Sequence, residues 1–222
     1  MGRFLTCNLS SSLKQVPYRH LFRLIPLMGI GLFVLLYVVA AWYYPGGSEA
    51  HESEYGFSLA NNYWCDLLEY RARNGHYNIS RPVALTAMVL LCISLAVFWY
   101  YLPKCIVSDP IYHKAIQFSG IISMISAMFV FTRHHDVVIN VAGFFGSIAF
   151  LGTFVGLFRT KKYALSWLGI FCFSLCCINY YIFETNHFVW ILPVVQKVTF
   201  LVCFIWFGLI DIQIYRFQYG VH

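Results

Sequence analysis

Charge is what this chain has least of: Asp, Glu, Lys and Arg together make up 11% of its 222 residues. Soluble domains average about 25% charged and 45–50% apolar residues, whereas this chain is 60% hydrophobic and 19% aromatic. A surface of that composition needs lipid as part of its solvent, which excludes a water-soluble fold. Several motifs are missing as well. There is no Cys-x-x-Cys, which argues against a thiol redox enzyme. No histidine falls at mid-span to ligate haem, and no elbow motif supports a serine nucleophile. The net charge of +6 is spread over the segments between apolar runs, so no continuous basic face is offered to nucleic acid.

What is present is length in apolar runs. Six stretches, at about 24–44, 82–102, 115–132, 137–158, 163–183 and 188–210, each approach the ~20 residues a helix needs to cross a ~30 Å hydrocarbon core. Lipid leaves no partner for an open sheet edge, so all six are expected to be helical. The expected fold is all-α: one domain over 1–222, a six-span bundle with one long outer loop at 45–81. Ten Lys and Arg residues fall on the side of the N-terminus and five on the other, and four of the five Glu residues lie in the loop after the first span. That bias places both termini in the cytoplasm of a multi-pass cytoplasmic (inner) membrane protein.

The long loop begins with a break at Pro45-Gly46-Gly47. Asn62, Asp66, Glu69 and Arg73 then recur at i, i+4, i+7 and i+11 opposite Tyr63, Trp64, Leu67 and Leu68. This reads as a short interfacial helix over 61–73 with a Glu69–Arg73 pair, either a plain surface helix or a lid with Asp66 facing inward. Asn78-Ile79-Ser80 is a glycosylation sequon, meaningful only in a secretory pathway. Met1-Gly2-Arg3 to Thr6 fits a myristoylation pattern with Cys7 beside it, meaningful only in a eukaryotic host. Cys65 alone is expected outside, so no disulfide can join two outer loops. Gly152-x-x-x-Gly156 permits close helix packing.

The remaining charges gather at the outer end: Asp66, Glu69, Arg133, His134, His135, Asp136, Glu184, His187 and Lys197. Asp136, Asn140, Gly143 and Ser147 form one stripe down the fourth span. Lys197 is the single mid-span charge, with Gln196 beside it and Pro193 one turn before. An unpaired intramembrane charge costs about 2.5–3.5 kcal/mol on insertion scales, so Asp136 or Glu184 is its expected partner. The candidate pocket is Asp136, Asn140, Glu184, Gln196 and Lys197, with Asp66 and His135 at its rim. An ammonium at that depth suits the phosphate or carboxylate of a membrane lipid. A weaker alternative is a metal held by His135, Asp136 and His187, though adjacent His134 and His135 point apart on a helix. At the inner end Asp211 is expected to be neutralised by Arg216.

Tyr44-Pro45-Gly46-Gly47 after the first span, His135-Asp136-x-x-x-Asn140 at the fourth and Leu192-Pro193-x-x-Gln196-Lys197 at the sixth carry a resemblance. Asn61-Asn62-Tyr63-Trp64-Cys65-Asp66 and Asn78-x-Ser80-Arg81-Pro82 add to it. The chain resembles a prokaryotic six-span membrane family of unknown function, distantly similar to the DRAM-like and FGF-receptor-activating-protein-like membrane proteins. The resemblance implies a six-span fold in a bacterial cytoplasmic membrane and brings no reaction or cofactor. Three functions stay open: an outward-facing pocket for a lipid headgroup or small amphiphile, a lipid hydrolase or transferase with His135 or Asp136 as general base, and a scaffold or assembly subunit locked by its charges.

Overall fold

In a computed structural model, which describes residues 23–219 and side chains as far as Arg216, long helices account for nearly everything outside the first loop. They are α1 (Ile25–Trp42), α2 (Arg81–Ile106), α3 (Pro110–Ala127), α4 (His135–Arg159), α5 (Tyr163–Thr185) and α6 (Leu192–Tyr219). Two 3-10 turns, Trp64–Leu68 and Val189–Ile191, are the other helical elements among the described residues. Among the described residues five helical segments are long and apolar enough to cross a membrane: Ile25–Trp42, Arg81–Ile106, His135–Arg159, Tyr163–Thr185 and Val189–Arg216. α3 is not among them, because His113, Lys114, Gln117 and three serines dilute its 18 residues. The Gly2 and Cys7 pattern and the cations Arg3, Lys14 and Arg19 lie outside the described residues.

The third helix starts earlier than the expected 115–132. Asp109 caps it by accepting the N–H groups of Ile111 (2.8 Å) and Tyr112 (3.3 Å), and Pro110 takes the first helical position. At the other end the chain leaves the α-helix at Met128 and turns through Phe129, Val130 and Thr132, whose N–H groups each reach back only three residues. α5 ends on Asn186 in the left-handed conformation (φ 55°), which asparagine tolerates. Phe188 follows at φ 60°, a costly conformation for a bulky residue.

Away from the long loop the helices pack closely. Phe150 stacks on Trp206 at 4.9 Å, Phe98 meets Phe207 edge-on at 5.0 Å, and Trp206 donates its indole N–H to the Leu165 carbonyl at 2.8 Å. In lipid such dispersion and aromatic contacts, with small residues at the crossings, bring helices together. Gly152 and Gly156 serve that end on α4: an added Cβ would stand 2.5 Å from Ile116 at the first and 2.9 Å from Ile106 at the second. At the same end the buried Asp211 of α6 accepts the Tyr101 hydroxyl of α2, and the Arg23 guanidinium lies 5.7 Å over the Tyr101 ring. Arg216 is exposed. The neighbour of Asp211 is therefore Arg23 rather than the expected Arg216.

Towards the long loop α3, α4 and α5 open. On α4 the buried residues run from Ala149 to Leu157, and none precedes Ala149. On α3 they stop at Ser123, and on α5 only Ile182 is buried beyond Cys172. α3, α4 and α5 are thus closely packed at one end and open at the other, whereas Ala40 of α1, Ala84 and Ala87 of α2 and Leu192 of α6 stay buried at the cap end.

Candidate functional site

The loop at 43–80 is a folded cap. Pro45-Gly46-Gly47 does break the chain, with Gly47 at φ 81° against the backbone of Arg73 and Asn74, where no side chain fits. Isolated β-bridges join Gly46 to Tyr55 and Arg71 to Tyr77. The expected helix over 61–73 is only the 3-10 turn Trp64–Leu68, because Glu69 is already extended (φ −70°, ψ 150°). Arg73 comes back through the turn that pairs Ala72 with His76 rather than along a helix face.

Asp66 is the centre of the cap and is only 2% exposed. One carboxylate oxygen takes the Tyr63 N–H (2.9 Å) and the Asn62 amide (3.0 Å), and the other takes Arg73 Nε (2.9 Å). Arg73 therefore pairs with Asp66, and more loosely with Glu49 at 3.7 Å, instead of with Glu69. Burial works against the Arg73 charge, but the Asp66 carboxylate outweighs it and holds the guanidinium pKa above its ordinary value. Burial, reinforced by the Asp66 and Glu69 charges, pushes the Cys65 thiol up to about 11. It is therefore a neutral thiol rather than a nucleophile at physiological pH.

The sequon residue Asn78 is fully buried. Its amide donates to the carbonyls of Asp66 (3.1 Å), Leu67 (3.3 Å) and Glu69 (2.9 Å), and its Oδ1 accepts the Ser80 hydroxyl at 2.6 Å. In this fold it is a clamp on the 3-10 turn, with no amide left for a glycan.

α6 holds the cap. Lys197 Nζ donates to the Asn62 carbonyl at 2.5 Å and to the Pro193 carbonyl one turn back at 3.0 Å. Gln196 Oε1 accepts the Trp64 N–H at 3.1 Å. Lys197 thus finds backbone carbonyls in place of the expected Asp136 or Glu184. Its ammonium also lies 5.5 Å over the Phe57 ring, adding a cation–π contact from the cap.

The other candidates form a second group at the cap end of α4 and α5. The Tyr180 hydroxyl donates to Asn140 Oδ1 at 2.8 Å, one turn along α5 from Glu184. His135 Nδ1 lies 3.3 Å from Asp136 Oδ1, and its ring stands 6.3 Å from Phe183. Asp136 is 79% exposed at its side chain, and Asn140, Gly143 and Glu184 are exposed too. The expected pocket is therefore divided: Asp66, Gln196 and Lys197 belong to the cap, while His135, Asp136, Asn140 and Glu184 stay open. His135, Asp136 and His187 do not come together as a metal-binding group among the described residues.

Sequence reasoning missed Tyr44, Asn62 and Asn78 as cap-forming residues. The four-residue spacing places Asn62 and Asp66 on one stripe without announcing their hydrogen bond, and nothing local announces that Tyr44 accepts the Arg73 N–H at 3.0 Å from 29 positions away. Compared with protein-family models, curated proteins and solved structures, the chain matches none.

Proposed function

We propose that this is a six-span membrane protein, with α3 as the sixth span, whose cap faces outward and whose cleft at the outer ends of α4 and α5 receives the polar end of a lipid or similar amphiphile. The observation that carries the reading is the open polar stripe of α4. Asp136, Asn140 and Gly143 remain exposed beside Tyr180 and Glu184 while the opposite half of the same helix is sealed. A site open to lipid at its side and to water at its end suits a molecule that is apolar along its length and polar at its tip. Hydrogen-bond donors and acceptors fix the tip, and aromatic residues such as Phe144 and Tyr181, both exposed, flank it.

The orientation rests on the cations. Lys104, Lys114, Arg159, Lys161, Lys162 and Arg216 lie at the end away from the cap, the bias that marks a cytoplasmic face. The resemblance to six-span families of unknown function is part of the same proposal. A purely structural role is favoured for one portion of the cluster, since Lys197, Gln196 and Asp66 are used in fastening the cap.

The test is native mass spectrometry of the full chain released from mild detergent beside Asn140→Ala and Tyr180→Phe. Co-purified lipid present on the parent and reduced several-fold on both variants supports the cleft. Equal lipid on all three, with the variants equally stable, overturns it.

A further inference from the structure

A separate polar concavity of about 290 Å³ is sunk into the cap, lined by Tyr44, Asp66, Glu69, Arg71 and Arg73. Its floor is already committed: Asp66 and Arg73 are bonded to one another at 2.9 Å. Its walls are not. Glu69 and Arg71, two residues apart, both line it, Arg71 being held by its bridge to Tyr77. They form no ion pair with each other: the ion pairs among the described residues are Arg73 with Glu49, Arg73 with Asp66, and His135 with Asp136. Arg71 uses one N–H on the Gly75 carbonyl at 2.9 Å, and a guanidinium has five to give.

Tyr44 adds a directed donor. It is 3% exposed, and its hydroxyl oxygen accepts the Arg73 N–H, which leaves the hydroxyl proton free to be given away. The lining as a whole carries two carboxylates and two guanidiniums. A simple anion or cation entering it meets a like charge as soon as it meets an opposite one, and a ligand bearing both signs does not. The position also matters. Trp42 and Tyr43, immediately before Tyr44, are 85% and 57% exposed, as aromatic residues are at a membrane–water interface.

We propose that this concavity binds a zwitterionic group, with an ammonium against Glu69 and a phosphate or carboxylate against Arg71 and the Tyr44 hydroxyl. An ethanolamine phospholipid headgroup and a free α-amino acid both carry that chemistry. The site is independent of the α4–α5 cleft, sharing no residue with it.

The test is calorimetric titration of the full chain in phosphatidylglycerol nanodiscs with glycerophosphoethanolamine and, separately, with glycine. Saturable binding of at least one is expected, with ethanolamine or glycerol phosphate alone at least about tenfold weaker. Arg71→Gln and Glu69→Gln should each weaken binding about tenfold without lowering thermal stability, since both side chains are exposed. Asn140→Ala should leave the titration unchanged, which separates this site from the cleft. Loss of glycerophosphoethanolamine binding in nanodiscs containing phosphatidylethanolamine assigns the site to the lipid. Persistence there, with glycine binding as well, assigns it to a soluble zwitterion. No saturable binding of either compound, half-molecules that bind as well as the whole, or variants that bind like the parent would overturn the proposal.

Discussion

The ammonium of Lys197 on α6 is bonded to the carbonyl of Asn62, 135 positions earlier in the chain, at 2.5 Å. One side chain thereby ties α6 to the cap. Hydrogen bonds from charged donors contribute about 1.5–3 kcal/mol each, so Lys197→Met is expected to lower unfolding stability in detergent by roughly 2–4 kcal/mol. Trypsin should cut within 43–80 several-fold faster in the variant. An equally stable and equally resistant variant would show that Lys197 does not fasten the cap.

Asp66 takes two hydrogen-bond donors and an ion pair while buried. Removing one partner of a buried pair costs about 3–5 kcal/mol. The exposure of Arg73, 41% at its side chain, puts Asp66→Asn at the low end, roughly 3 kcal/mol. Arg73→Ala should cost less, because it leaves Asp66 with Asn62 and the Tyr63 N–H. Urea titration of both variants checks the order, and the reverse ranking would count against Asp66 as the centre of the cap.

Cys65 supplies a pH prediction. Its folded pKa, about 11, lies above the ordinary thiol value of 9.0. The neutral form is thus favoured by folding: its stabilisation is complete below about pH 9 and fades as pH rises towards 11. At pH 8 the thiolate fraction should be about 100-fold lower than in the unfolded chain. Iodoacetamide should alkylate Cys65 at least that much more slowly in the folded protein, as read by peptide mass mapping. Equal rates would contradict the burial.

Gly152 is expected to tolerate nothing larger. Gly152→Val forces a side chain against Ile116, whose atoms would stand 2.5 Å from the new Cβ, at a cost of about 1–3 kcal/mol. Ile116→Ala in the same chain should recover part of that loss, a non-additivity that thermal unfolding of the two single variants and the double variant can read.

Much of the helical fabric was legible because lipid imposes a length and an apolar composition on every spanning segment, and α1, α2, α4, α5 and α6 carry both plainly. α3 was found but misplaced, since its cap at Asp109 and Pro110 lies before the apolar run and its polar first turns masked the start. The cap was not legible. Its polar residues share a spacing with a helix face, and only the extended backbone at Glu69 and the turn at 72–76 bring Arg73 back to Asp66. Lys197 misled for a related reason: charge suggests a carboxylate partner, whereas two carbonyls sufficed, one of them from a loop no local pattern could place. The stripe at Asp136 and Asn140 was legible because helical periodicity alone sets it.

The tether from α6 also orders events during synthesis. Residues 43–80 leave the ribosome well before α6, so Trp64 and Asn62 find Gln196 and Lys197 only once that helix has been made and inserted. Until then the cap is missing its attachment, and the membrane holds a chain whose earliest loop is still unfinished. Maturation of that loop therefore waits on α6, and a chain truncated before residue 196 is expected to display it open to proteases, a mark by which quality control can recognise such a copy.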